Sequence, residues 1–442
     1  MSTNISKQKR DGLIKKIKEI RTYIAKSDQD ENAQNLLGYL SELEKEIKGK
    51  KYGLVFEEHR EAVDNIMDTH TPVLTEEKDL FIDNGGQMNF LIEGDNLPAL
   101  ELLMKTHKGK IDMIIIDPPY NSGLNNFIYD DNYIDKTDAY RHSKWLSFIE
   151  KRLTFARLLL KNNGVIFINI DDNEVAQLKM ICDRLFGEQN YISCFPWHNR
   201  TSIQNDTDMS VNHEYIIAYA KKRRQENRRL KLQNFNTWYN TNDFVFQPME
   251  TNPAKFSNTD NDPRGNWKAD PFDAPAIRAN LTYAIINPST NQKFLPPKGR
   301  HWRTEEAKYM ALLADNRIVF GKKGTSKPQL KVFLSEALAK GEIRNSWFDA
   351  DVFDTSTSGK KELLSILHDT EIFDTVKPTK LYYELIKMSL SPRVSNPIIL
   401  DFFAGSGTTG HAVMKFNSIE TRDCKFILVT NNQNNICRDV AY

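Results

Sequence analysis

Cysteine is scarce in this 442-residue chain: there are four, Cys182, Cys194, Cys424 and Cys437. None forms a Cys-x-x-Cys pair, and no histidine stands at zinc-finger spacing from one, which excludes a structural zinc module. Four scattered thiols suit a reducing compartment, so a cytoplasmic location is expected. Long apolar runs are missing too. Nothing approaches the roughly 20 residues that a membrane helix needs, and Met1 to Arg10 holds no apolar signal core. Charge of one sign is not in excess: 60 Lys+Arg against 59 Asp+Glu gives a net +1. That excludes a uniformly basic nucleic-acid coat but leaves room for basic patches set against acidic ones. No Gly-x-x-x-x-Gly-Lys-Ser/Thr occurs, so a triphosphate cradle is not expected, and no metal site is expected. Hydrophobic residues at 40% and charged residues at 27% fit a globular protein. The length suggests roughly three domains.

The first fifty residues predict a helical hairpin. Leu13, Ile17, Ile20 and Ile24 step by four, three and four, and Leu36, Leu40, Leu43 and Ile47 repeat the steps. Each set would share a face, packing on the chain's own body or on a second copy. From Phe90 the pattern alternates strand and helix. Phe90 to Ile92, Ile111 to Ile116, Val165 to Ile170 and His213 to Tyr219 read as strands, with a helix from Trp145 to Leu160. The alternation predicts a doubly wound parallel α/β sheet. Residues 221–374 break the rhythm and are too long for a loop, so an inserted second domain is expected there. The rhythm then resumes with the helix Leu381 to Met388 and the strands Pro397 to Leu400 and Phe426 to Val429.

Two turns carry the chemistry. Asp117-Pro118-Pro119-Tyr120 follows the strand Ile111 to Ile116, at the strand end where open α/β sheets present ligands. A fixed carboxylate and the Pro118 carbonyl can take both N–H groups of an exocyclic amine, while Tyr120 stacks on its ring. Such an amine donates its lone pair into the ring and is a poor nucleophile. Fixed acceptors favour a tetrahedral nitrogen, and the aspartate stabilises its developing positive charge. The second turn, Asp401-Phe402-Phe403-Ala404-Gly405-Ser406-Gly407-Thr408-Thr409, follows the strand Pro397 to Leu400 and opens a helix. Gly405 and Gly407 permit a tight turn and close backbone approach to a ligand.

Together these turns resemble S-adenosylmethionine-dependent amino-methyltransferases of DNA. The catalytic motif precedes the cofactor motif, the permuted order of the β group. Leu91 to Leu97, Arg141 to Leu146, Ile170 to Glu174, His213 to Tyr215 and Asp262 to Gly265 further resemble the modification subunits of type III restriction-modification systems. The resemblance spans residues 51–442. It implies a circularly permuted, doubly wound methyltransferase sheet with an inserted target-recognition domain and an N-terminal helical hairpin. The expected divisions are 1–50, the hairpin; 51–220, the first catalytic part; 221–374, the recognition insert; and 375–442, the cofactor-binding part.

By the same resemblance Asp117, Pro118, Pro119 and Tyr120 would hold a flipped adenine. Its N6 would attack the cofactor methyl in line, without metal or covalent enzyme intermediate. Phe402, Ala404, Gly405, Gly407 and Thr408 would line the S-adenosylmethionine pocket, with Asp401 at the strand end. Lys377 would neutralise the methionine carboxylate, the alternative being a solvated helix-start lysine. Asp95 would accept from the cofactor adenine amine, the alternative being a helix N-cap. The family pattern has Glu at Gln433, so Asn431, Asn432 and Gln433 predict weaker ribose binding. Family members continue past Arg438-Asp439-Val440, so a longer C-terminus is expected. Double-stranded DNA, a second copy and a separate restriction subunit are the expected partners. A cytosine-N4 enzyme or a non-catalytic DNA-reading subunit are the competing readings; Asp rather than Ser at 117 favours adenine.

Lys221 to Lys231 holds seven basic residues, and Lys322, Lys323, Lys327 and Lys331 form a second stretch. Both are candidate phosphate contacts, alternatively solvated surface. Asn121 to Lys136, with Phe127, Tyr129 and Tyr133, is a candidate lid. Trp197, Trp267, Trp302 and Trp347 are expected to pack in cores rather than stack bases.

Overall fold

The computed structural model of the chain describes residues 5–26, 31–48, 54, 56–83, 85, 88–123, 128–129, 132–133, 137–203, 208–225, 242–321, 323–367 and 376–442. It divides into two compact units, residues 1–57 and 58–442.

The first unit is the expected hairpin of α1 (Ile5–Ile24) and α2 (Glu31–Lys48). Ile17, Ile24, Ala33 and Leu40 are buried together, with Leu37 beside them. Leu13, Ile20, Leu36 and Leu43, placed in the same stripes by spacing, are exposed. Buried positions thus recur every seven residues, a narrower seam than the four-three stepping implies. Arg21 pins the pair through Ser41 Oγ at 2.9 Å and Glu44 at 3.1 Å.

The second unit is built on a seven-stranded sheet. Its strands are β1 (Phe90–Glu93), β2 (Ile111–Ile116), β3 (Leu160–Ile170), β4 (Tyr191–Trp197), β5 (Glu214–Ala220), β6 (Ile398–Asp401) and β7 (Lys425–Thr430). Their spatial order is β1-β7-β6-β2-β3-β5-β4. The first five in that order run parallel. They are joined through α3 (Asn96–His107), α4 (Arg141–Leu159), α6 (Thr379–Ser389) and α7 (Thr408–Glu420), while α5 (Val175–Phe186) leads from β3 to β4. β2 is buried along its whole length. Successive side chains on a strand face opposite ways: Met113 and Ile115 join a core with Leu381 and Leu385 of α6 and Ala412 and Val413 of α7. The two polar residues that interrupt the central strands have structural tasks. Asp112 accepts from Lys161 Nζ at 2.7 Å and from the Ile398 amide at 2.9 Å, tying β2 to both neighbours. Asn169 donates to the Ile116 carbonyl at 3.0 Å, at the entrance to the Asp117–Tyr120 turn.

The permuted order holds: β1, first in the chain, pairs with β7, the last strand. One expectation is corrected. The strand after His213 does not extend a parallel sheet; β5 runs antiparallel to both β3 and β4. Among the described residues no helix separates β4 from β5, and a parallel neighbour needs such a crossover. β4 itself was not expected as a strand.

Within the insert, residues 248–342 form short strands and helices around their own core of Phe272, Ile285, Trp302, Tyr309, Ile318 and Phe320. The flanks do not belong to that core. Phe244, Phe348 and Phe353 pack with Val165, Phe167 and Phe195 of the main sheet. The separately packed part is therefore narrower than 221–374. Among the described residues no helix is long and apolar enough to cross a membrane.

Candidate active site

The carboxyl ends of β1, β7, β6, β2 and β3 lie along one edge of the sheet, because these strands are parallel. The antiparallel β5 brings its first residue, Glu214, to the same edge, since Tyr215 pairs with Ile170 at the end of β3.

The Asp117–Tyr120 turn at the end of β2 is clamped from both sides. Asn169, besides holding the Ile116 carbonyl, donates to the Tyr382 hydroxyl at 3.1 Å. Trp145 Nε1 donates to the Pro119 carbonyl at 2.7 Å. Asn121, next after the turn, sits in the left-handed region at φ 58°. Its amide donates to Glu174 Oε1 at 2.6 Å, and His142 Nδ1 meets the same oxygen at 2.6 Å. Burial raises the Glu174 carboxyl to about 8 against the pull of the Asn121 bond. Burial also lowers the pKa of His142.

Asp117 stands in a ring of polar groups. The Tyr120 hydroxyl lies 2.8 Å from Asp117 Oδ1 and 3.0 Å from Glu214 Oε2. Lys377 Nζ lies 2.9 Å from Asp117 Oδ2 and 3.4 Å from Glu214 Oε2. It also stands 5.1 Å from the centroid of the Tyr120 ring. Asn199 Nδ2 donates to Glu214 Oε1 at 2.8 Å. Burial alone would lower the Lys377 ammonium, but the two carboxylates outweigh it and hold the group above the ordinary lysine value. Burial and the same carboxylates push the Tyr120 phenol well above its ordinary value. The side chain of Lys377 is 8% exposed and that of Asp117 25%. Lys377 is therefore not a solvated helix-start residue, and its ammonium faces the carboxylates of Asp117 and Glu214.

The glycine loop lies at the end of β6. Gly405 and Gly407 both have positive φ, 50° and 79°. A Cβ at Gly407 would meet the Ala441 carbonyl at 3.3 Å. Asp401 is buried and braces the loop from below: Thr409 Oγ1 donates to Oδ2 at 2.5 Å and the Phe403 amide to Oδ1 at 2.9 Å. Burial lifts its carboxyl to about 7 despite both bonds. Phe402 and Ala404 are buried, and the Phe402 carbonyl accepts from Asn96 at 2.8 Å. Thr408 Oγ1 reaches the Lys377 carbonyl at 3.4 Å, so one lysine joins the glycine loop by its backbone and Asp117 by its head. Asp95 is the N-cap of α3, accepting from the Leu97 amide at 2.7 Å. The N-cap alternative for Asp95 is thus satisfied.

Sequence reasoning placed Glu214 in a family-like stretch without assigning it to the site, and missed Asn199. The strand holding Glu214 was foreseen, but a parallel reading sends its first residue to the far edge. Arg152 was missed as well. Its buried guanidinium pairs with both oxygens of Glu61, at 2.8 and 2.9 Å, and donates to Asn96 Oδ1 at 2.5 Å. That fixes the residue which holds the Phe402 carbonyl.

The expected phosphate contacts are partly committed elsewhere. Lys221 donates to the Leu160 carbonyl, Arg223 to the Tyr191 carbonyl, and Lys222 pairs with Asp243. Residues 226–231 of that run, and Lys322, lie outside the described residues. Lys331 is buried on Asp260, and Lys327 pairs with Asp273 at 2.7 Å. Trp197, Trp267 and Trp302 are buried as expected, whereas Trp347 is 46% exposed. Within the expected lid, Ile128–Tyr129 and Asn132–Tyr133 pair as a short antiparallel ladder; Phe127 and most of its neighbours lie outside the described residues.

A permuted open sheet with an Asp-Pro-Pro-Tyr turn and a left-handed glycine loop on one edge defines a methyltransferase-type α/β domain. The chain belongs to the DNA methylase family of N6 and N4 methyltransferases, whose model matches residues 111–427. It is similar to the Mod subunit of the type III restriction-modification enzyme StyLTI of Salmonella typhimurium. The two are 34% identical over 396 residues, 83% of this chain and 56% of that one. The EcoP15I Mod subunit of Escherichia coli is 30% identical, covering 78% of this chain and 59% of that one. The type II methyltransferase M.KpnI of Klebsiella pneumoniae is 30% identical over 79% of this chain and 82% of its own length. The chain thus spans well under two thirds of the type III relatives.

Proposed function

We propose that this chain methylates N6 of adenine in DNA, using S-adenosylmethionine, as the modification subunit of a restriction-modification system. The observation that carries the reading is Asp117 and Tyr120 standing at the sheet edge beside the glycine loop, joined to it through Lys377. The Mod subunits among its relatives support adenine, as does Asp at 117 where Ser would favour cytosine N4.

The loop suits the cofactor's charged end. Among the described residues the half-buried amides of Gly405 and Ser406 make no hydrogen bond, leaving two donors for a carboxylate. These amides, rather than the Lys377 head, would hold the methionine carboxylate. Asp95, with Oδ1 engaged by the Leu97 amide, would turn its second oxygen to the cofactor adenine. Asn431, Asn432 and Gln433, after β7, would meet the ribose. S-adenosylmethionine, when bound, supplies an electrophilic methyl group on sulfur.

The target adenine leaves the stack and enters at the catalytic turn. Trp145 occupies the Pro119 carbonyl, so the Pro118 carbonyl and Asp117 receive the amine. Those acceptors hold the nitrogen pyramidal and Asp117 balances its developing charge. The Tyr120 face supports the ring. Fixed geometry supplies much of the acceleration. Asp117 then takes the proton that the methylated nitrogen sheds. The insert would read the DNA sequence, a second copy and a separate restriction subunit would complete the system, and the site of action would be the cytoplasm.

Nucleoside mass spectrometry of DNA from a methylation-free host expressing the chain tests the base. N6-methyldeoxyadenosine is expected; N4-methyldeoxycytidine alone would overturn the adenine assignment.

A further inference from the structure

Resting on the proposed methyl transfer, the ring around Asp117 raises a question of occupancy. Both carboxylate oxygens of Asp117 already have partners, the Tyr120 hydroxyl on Oδ1 and the Lys377 ammonium on Oδ2. A substrate amine needs one of those oxygens. Whatever gives way must find another partner, because Lys377 is buried and an unpaired buried charge is costly. A buried hydroxyl left unsatisfied is also costly.

Glu214 stands ready for both. Its Oε2 is 3.0 Å from the Tyr120 hydroxyl and 3.4 Å from Lys377 Nζ. Its Oε1 is held by Asn199, which aims Oε2 into the ring. The Lys377 backbone is meanwhile anchored through Thr408. The ammonium can therefore shift toward Glu214 without moving its chain.

We infer that Glu214, oriented by Asn199, is a positioning residue for methyl transfer: it takes up Lys377 and the Tyr120 hydroxyl when the substrate amine claims Asp117. Without its charge, Lys377 stays on Asp117 and competes with the amine. Binding of DNA and cofactor does not need the exchange; the chemical step does. Geometry supports this division, since Glu214 enters from β5 and Asn199 from the end of β4, while the glycine loop follows β6.

The test is single-turnover transfer of labelled methyl from S-adenosylmethionine to DNA from a methylation-free host, using the 442-residue chain and its Glu214→Gln variant. Glutamine keeps the shape and an acceptor but loses the charge. The transfer rate should fall about 100-fold, the scale of a misplaced reacting group. Dissociation constants for cofactor, by calorimetry, and for DNA, by anisotropy, should stay within about threefold. If E214Q does not fold, Asn199→Ala keeps the charge and loosens its aim; its rate should fall about tenfold with affinities kept. A rate within about twofold of wild type in a folded variant overturns the inference. So does a rate loss matched by an equal loss of affinity, which a merely structural role would give. A wild-type chain that methylates no adenine sinks the proposed function itself. An active wild type with an equally active E214Q sinks this inference alone.

Discussion

Asp117 is exposed enough to meet a base and yet fully hydrogen-bonded before one arrives. Asp117→Ala should reduce methyl transfer by about 100- to 1,000-fold or more, as loss of a preorganised charge-stabilising group does. Lys377 keeps Glu214 in that variant, so circular dichroism should report an intact fold; unchanged labelled-methyl transfer would contradict the assignment. Two other carboxyls bear on stability rather than chemistry. Burial raises Glu174 from 4.5 to about 8 and Asp401 from 3.8 to about 7. A carboxyl raised on folding binds its proton more tightly in the native state. Its stabilisation is complete below the ordinary value and is lost as pH rises through the folded value. The contribution of these two carboxyls to thermal stability should therefore decline from about pH 4 to about pH 8. Glu174→Gln cannot ionise and should flatten the decline, measured as Tm against pH. Parallel curves for variant and wild type would show that Glu174 does not ionise in this range.

At the scale of elements, the parallel half of the sheet was legible and the antiparallel margin was not. The runs Ile111 to Ile116 and Val165 to Ile170 announce buried strands by their apolar content, and both turns sit where such strands end. Strand direction is not written in an apolar run; it follows from what connects the strands. Among the described residues no helix stands between β4 and β5, and that reversal carries Glu214 to the edge that holds Asp117. The charge on Lys377 was legible, but its partners come from β2 and β5 and only folding brings them together. Helix packing positions that lysine too. Gly359 lies in the helix Ser356–Leu367, and a Cβ there would fall 2.8 Å from both the Val376 carbonyl and the Pro378 nitrogen. Gly359→Ala should cost about 1–3 kcal/mol in denaturant unfolding by overpacking. It should also slow methyl transfer by displacing Lys377. Gly38, in α2, has open space around it. Gly38→Ala should be neutral or stabilising by about 0.4–1 kcal/mol. If both substitutions have the same effect on unfolding, close packing at Gly359 is not what matters.

For the whole molecule, the near-zero net charge resolves into local pairings. Lys327, Lys331, Arg300 and Arg317 of the insert are matched by Asp273, Asp260 and Glu336. Much of the described basic surface therefore holds the insert together rather than standing free for phosphates. The insert's own aromatic core and the shared aromatic flanks make a separately packed body rooted in the sheet. The sequence could suggest such a body from its loss of strand–helix rhythm, but not that its flanks would join the main core. The same division predicts one chemistry at one edge and one sequence preference from the insert. Single-molecule sequencing of DNA from a methylation-free host expressing the chain tests both at once. N6-methyladenine at one recurring sequence is the predicted result. No modified base, in cells whose purified protein binds S-adenosylmethionine, would contradict it.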